Sequence, residues 1–315
     1  MWPFTAVGEG QGLWLVFYIL TFCLHAVFVG YVLVGSAYAL IQAVRGSDDP
    51  IAYQVRDRLP FMLGCGITAG VAPLLFIQLL YQRHFYSANL ILGPRWGAVV
   101  PALIAGFYAL YIAKSSEKWR RPALALGTLC FLFVAWSWTE IHQLMQDEPA
   151  WRTMYAASDR LYDDRSIVPR LAMWLGMMTS LFAAVAAWHA EERKRLALLG
   201  LGGKLVFCIM LAVVAGDGAD TRGWLYLFIG ALGVELVGWV AMLRAPAGAG
   251  LLLVTGGGTA ALVAGAIVRE APRLAILETP RPAATEASGF PVFALTLVLG
   301  VVVIAWIVKT IRAAR

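Results

Sequence analysis

The sequence predicts an all-α, polytopic membrane helix bundle of about nine transmembrane helices. Three observations predict it. First, 60% of the 315 residues are hydrophobic and 14% charged, with a mean hydropathy of +0.73. A soluble domain is nearer half apolar and about a quarter charged, and one water-soluble core does not bury this much apolar sequence. Second, apolar runs of about 20 residues, the length that crosses a bilayer, follow one another along the chain. Third, Lys and Arg concentrate in alternate short connections. Disordered, collagen-like and nucleic-acid-binding classes are excluded. The net charge of +6 reports orientation rather than a nucleic-acid partner.

The runs fall at about 12–43, 59–82, 92–114, 122–146, 167–190, 195–216, 224–243, 247–268 and 289–311. The first is long enough to tilt or to project beyond the bilayer. Its leader, MWPFTAVGEG, has no Lys or Arg and so lacks the basic region of a secretory signal; the first run is expected to be a retained helix. The longest connections, about 147–166 and 269–288, leave no room for an extramembrane domain, so residues 1–315 read as one integral membrane domain.

One set of connections, with the carboxyl terminus, carries fourteen basic residues against ten in the opposite set, and the first set is short and dense. Its members include Arg45, Arg56, Arg58, Lys114, Lys118, Arg120, Arg121 and Arg193 to Arg195. The expectation is a multi-pass chain with its amino terminus outside and its carboxyl terminus cytoplasmic. The outer connections then carry the acids Asp147, Glu148, Asp159, Asp163, Asp164, Asp217, Asp220, Glu278 and Glu286.

Ionisable groups inside apolar runs are costly and are functional candidates by default. His25 sits in the middle of the first run; it reads either as an interhelical hydrogen-bonding residue or as a metal ligand. His142 lies near the outer end of the fourth run beside Trp136 and Trp138, where an interfacial polar cluster is the plain alternative. His84 reads as interfacial and His189 as solvated or lipid-facing. Lys204 and Glu235 lie at similar depth, about 13 Å from the inner face, on sequential antiparallel runs, and are expected to form an intramembrane ion pair. Arg269, Glu270 and Arg273 cluster where the eighth run leaves the membrane. They read either as a helix-end charge cluster or as a carboxylate ligand with arginines for a bound carboxylate. The stretch from Gly256 to Gly265 has no phosphate-loop pattern and reads as a close-packing surface. Cys23, Cys65, Cys130 and Cys208 form no CxxC pair and no CxxCH haem-attachment motif.

LHAVFVGYVLVGSAYAL around His25, GVAPLLFIQLLYQRHFYSANLILGP with Gly70, Val71 and Ala72, the Met145, Gln146 and Pro149 segment, and VREAPRLAILETPRP with Glu270 and Arg273 together resemble subunit I of cytochrome bd-type quinol oxidases. His25 stands at that family's haem-ligand position, and Gly70, Val71 and Ala72 match its GVA run, with Gln78 where the family has Glu. Met145, Gln146 and Pro149 resemble its MQ-x-x-P segment. VREAPRLAILETPRP resembles its V-A-E-x-G-R-Q-P-W signature through Glu270 and Arg273, without the closing Gln-Pro-Trp.

The resemblance implies a cytochrome bd subunit-like fold, with four-helix bundles at about 12–146 and 167–268 and a final helix at 289–311. It also implies one or two molecules of haem b near the outer face, with His25 and Glu270 as iron ligands and His142, Arg269 and Arg273 beside them. It further implies a bacterial inner membrane location, electron transport in a respiratory chain, and membrane or periplasmic cytochrome partners. Departures narrow this. Trp174 stands where the family's low-spin haem has its His, and the seventh run has only Met242 at its far end. The quinol loop is reduced to GDGADTRG, and GAVVPALIAGFYALY carries no acid. The expected role is an electron-transfer oxidoreductase subunit. The alternatives are a haem-free anchoring subunit, or an ion or solute transporter built on Lys204 and Glu235.

Overall fold

The computed structural model describes residues 11–190, 193–214, 222–245, 248–277 and a few positions between 294 and 302. The run at 289–311, read as a ninth helix, lies outside the described residues apart from those positions. Among the described residues every regular element is helical: α1 (Gln11–Arg45), α2 (Pro50–Leu80), α3 (Gln82–Leu92), α4 (Pro94–Gly97), α5 (Val99–Ser115), α6 (Arg120–Leu144), α7 (Glu148–Ala157), α8 (Ile167–Ala187), α9 (Lys194–Val214), α10 (Arg222–Arg244) and α11 (Gly248–Glu270), which tightens into a 3-10 turn over Ala271–Ile276. Among the described residues eight helices are long and apolar enough to cross a membrane: α1, α2, α4 with α5, α6, α8, α9, α10 and α11. The chain is a polytopic helical bundle of a multi-pass membrane protein.

Consecutive helices pair: α1 with α2, α5 with α6, α8 with α9, and α10 with α11; α1 also packs on α6, α8 and α11. The buried apolar residues form two clusters stacked along the helix axes. One runs through Tyr18, Tyr81, Phe85, Phe207 and Phe228, the other through Tyr31, Phe182 and Trp239, and each crosses both halves of the chain. Outside this core, Leu24, Phe61, Leu75, Leu129, Ile209 and Val237 are exposed. Such a belt is stable only against lipid, because water would not tolerate an apolar surface of this extent.

Two ends of the bundle differ. At the turn end, α1 joins α2 and α5 joins α6 through short connections. Helix α2 begins at Pro50, nine residues before the apolar run at 59, because Asp49 caps it: its side chain accepts from Ile51 N at 3.0 Å and Pro50 occupies the first turn. Arg56 and Arg58 therefore lie on a helix, not in a loop. At the opposite, capped end, the connections expected to be irregular contain the short helices α3 and α7. Asp147 caps α7, accepting from Ala150 N at 3.3 Å, while Arg160 Nη1 donates to Ile91 O at 2.7 Å and so closes the end of α3.

Close approach of backbones brings α8 to α9 and α10 to α11. A Cβ on Gly176 would lie 2.7 Å from Gly203 O, and one on Gly257 would lie 2.7 Å from Glu235 N. Small residues are what permit such contacts between membrane helices, which have no hydrophobic drive toward one another in lipid.

Candidate functional site

At the capped end, α11 terminates at Glu270, with Pro272 in the turn that follows. The Glu270 carboxylate is fully buried and surrounded by donors. Its Oε1 accepts from Arg269 Nε at 3.0 Å, Arg269 Nη2 at 2.6 Å and Arg273 Nη1 at 2.8 Å, and its Oε2 accepts from Tyr81 OH at 3.2 Å. Arg273 sits three residues on, one turn along the same face, which is why one carboxylate serves both arginines. The Arg269 guanidinium lies 3.8 Å from the centre of the Phe22 ring and donates to Tyr18 OH at 3.2 Å. Trp174 stands 5.6 Å from the same guanidinium, and its ring meets Phe22 edge-on at 5.8 Å. Aromatic faces thus hold a cation that the apolar surroundings would otherwise penalise.

His142 lies within electrostatic reach of Arg273, Arg269 and Arg170. Its Nδ1 is buried with no hydrogen-bond partner among the described residues, and so is Arg170 Nε. A series of edge-on ring contacts leads away from it: Trp138 is 5.4 Å from His142 and Trp96 is 5.1 Å from Trp138. Three arginines therefore surround one carboxylate and one imidazole.

His25 belongs to the α1–α2 contact. Gly66 O lies 2.9 Å from Nδ1, and because a carbonyl only accepts, Nδ1 carries the proton. The second nitrogen, Nε2, then bears the lone pair and has no partner among the described residues. The ring rests on Gly70, where a Cβ would lie 2.7 Å from His25 Cε1. A neutral imidazole with one nitrogen fixed by a carbonyl and the other left as a donor atom is the form that binds a metal. No hydrogen bond or ion pair joins His25 to Glu270 or to His142 among the described residues.

These residues fit a b-type haem unequally. His25 has the required tautomer and a glycine cradle, and His142 has an unpartnered buried nitrogen. Glu270 is engaged mainly through Oε1, which takes three hydrogen bonds from Arg269 and Arg273, while Oε2 takes one, from Tyr81 OH at 3.2 Å, and keeps acceptor capacity. Among the described residues no group of three or more His, Cys, Asp or Glu side chains is placed to hold a bare metal ion.

Lys204 and Glu235 meet in the second half of the bundle, Nζ to Oε2 at 2.9 Å. Ser180 Oγ donates to Glu235 Oε1 at 2.6 Å, and Trp239 Nε1 donates to Ser180 Oγ at 3.1 Å. Four helices, α8, α9, α10 and the glycine face of α11 at Gly257 and Gly258, enclose this network.

Glu140, Tyr162, Tyr18 and Tyr81 had no single-sequence signal. Glu140 is fully buried on α6, pairs with Arg95 from α4, and accepts from Tyr162 N at 2.8 Å. Tyr162 OH donates to Asp147 Oδ2 at 2.8 Å; burial and that carboxylate push the phenol well above its usual value. His84, read as interfacial, is buried between α3 and α7, 2.9 Å from Glu148 Oε1. His189 is exposed at the turn end. Tyr18, 251 residues before Arg269, and Tyr81, 189 residues before Glu270, complete the cluster.

The eight long apolar helices among the described residues, enclosing buried ion clusters, define the class, a polytopic helical membrane protein. No protein-family model and no curated protein matches the chain.

Proposed function

We propose that this chain is a cytochrome bd oxidase-like membrane subunit of a respiratory electron-transfer complex, holding b-type haem through His25 toward the capped end. The observation that carries the reading is the His25 geometry: Nδ1 is fixed on Gly66 O at 2.9 Å, with Gly70 leaving space for the ring. His142 is the second imidazole available, and Arg170 and Arg273 supply cations for acidic groups beside it. Glu270 holds Arg269 and Arg273 in place through Oε1. A bound haem b supplies one-electron transfer; the protein's part is to ligate it, exclude water and neutralise its charge. The excess of basic residues at the turn end supports a cytoplasmic turn end, with the capped end facing outward in a bacterial inner membrane. The acids Asp147, Glu148, Asp159, Asp163 and Asp164 at the capped end suit a basic periplasmic cytochrome partner.

The test is a pyridine haemochrome assay and a reduced-minus-oxidised spectrum on the purified chain with its co-purifying subunits. Haem b near stoichiometry that is lost in His25→Ala is the expected result. Haem content unchanged by that substitution overturns the reading.

A haem-free anchoring subunit is the second reading, favoured by the engagement of Glu270 with two arginines and Tyr81 and by Trp174 at the position of the family's second haem ligand. It expects no Soret band in the purified chain and loss of a larger complex on deletion.

A further inference from the structure

At the turn end, remote from Glu270, two arginines from different helices enter one groove. Arg56 comes from the second turn of α2 and Arg120 from the start of α6, with Gln42, Asp49 and Tyr53 between them. The Nε atoms of both are buried with no partner among the described residues. The Arg56 guanidinium lies 4.6 Å from the centre of the Tyr53 ring and forms no ion pair among the described residues. Arg120 has one ion pair, Nη2 to Glu117 at 3.2 Å, but the Glu117 side chain is 89% exposed, so the pair contributes little. The nearby acids are otherwise engaged. Asp57 pairs with Lys114 at 2.8 Å, and Asp49 accepts from Ile51 N and from the Tyr38 hydroxyl. Asp48 is the remaining acid of the groove, and it is exposed. Arg56 and Arg120 are near enough to repel each other.

Two like charges in a half-buried groove, each with a buried Nε donor left unsatisfied, call for an anion with several oxygens. The groove lies at the ends of spanning helices, where headgroups sit, and the exposed apolar side chains Ile41 and Val44 of α1 adjoin Gln42. We propose that Arg56 and Arg120 hold the phosphate of one acidic phospholipid headgroup, with its acyl chains lying along Ile41 and Val44. The shared chemistry is a phosphate group; the apolar flank selects a lipid over free phosphate.

Native mass spectrometry of the delipidated full-length chain, titrated with phosphatidylglycerol or phosphatidylcholine, tests this. One phosphatidylglycerol is expected to stay bound, with affinity falling about tenfold or more in R56Q/R120Q. Arg121→Gln, which removes an exposed charge beside the groove, is expected to leave it unchanged. R56K/R120K keeps the charge without the forks and should bind at an intermediate level. Should the double Gln variant not fold, Arg56→Gln alone gives the same reading, since Arg56 has no ion pair to lose. Binding of phosphatidylglycerol by R56Q/R120Q at the wild-type level overturns the proposal, as does an equal loss in Arg121→Gln. Inorganic phosphate that competes with the lipid at millimolar concentration overturns the lipid assignment in favour of a free anion.

Discussion

Lys204 Nζ stands 2.9 Å from Glu235 Oε2, and both side chains are 2% exposed. A charge pair this deep has no water to fall back on. Removing either partner strands the other, at a cost of about 3–5 kcal/mol, whereas replacing both with apolar or neutral groups of similar size is often neutral or stabilising. Lys204→Met and Glu235→Gln singly should each lower the unfolding midpoint in detergent by several degrees or more, and the double variant should recover most of the loss. Singles that unfold like the wild type would show that the pair locks nothing.

The same network rests on α11 without clearance. Gly257→Ala would bring a Cβ to 2.7 Å from Glu235 N, against backbone that has no side-chain freedom to yield. Overpacking of this kind costs about 1–3 kcal/mol. Gly256→Ala, one residue away, meets nothing within 4 Å. It should be neutral or stabilise by up to about 1 kcal/mol through helix propensity. Thermal unfolding of the two variants side by side checks this, and equal effects would contradict the packing account.

Glu270→Gln removes the charge that Arg269 and Arg273 share. Both guanidiniums would then stay buried without an anion, and a loss of about 3–5 kcal/mol is expected. Tyr81→Phe deletes one neutral donor to the same carboxylate, for about 1 kcal/mol. Chemical denaturation should rank the two in that order. A Tyr81 variant worse than the Glu270 variant would mean that packing, not charge, holds the corner.

Glu140 ties α4 and the 158–166 connection to α6 through Arg95 and Tyr162 N. Glu140→Ala should loosen that connection locally while leaving the spanning helices intact. Hydrogen exchange should rise around residues 158–166 and limited proteolysis should begin there. Unchanged protection in that stretch would assign its order to the Tyr162–Asp147 bond instead.

Gly70 supports the His25 ring. Gly70→Val should push the imidazole off Gly66 O, and under the haem reading the haem content should fall with it, while Gly64→Ala, which faces open space, should not change it. Parallel haemochrome assays on both variants decide this.

The helices were legible because hydropathy is a local property. The runs at 167–190 and 195–216 differ from α8 and α9 by only a few residues. The missing length at α2 came from the Asp49–Pro50 cap, a signal in the sequence that an apolar count passes over. The Lys204–Glu235 contact was also readable, because sequential antiparallel helices put equal depths opposite each other. Glu140 shows the opposite case. Nothing local to it names Arg95, 45 residues earlier, as its partner.

By itself the sequence determined that this chain crosses a membrane repeatedly, that it is helical, and which few charges must be accounted for inside it. Lipid leaves a backbone no choice but to satisfy itself locally, so those properties follow from runs of about 20 residues. The tertiary structure decided which donors surround Glu270, which nitrogen of His25 keeps its lone pair, and where Arg56 meets Arg120. An apolar helix face reads the same toward lipid and toward a neighbouring helix. The partner of a buried charge is therefore chosen only when distant helices come together.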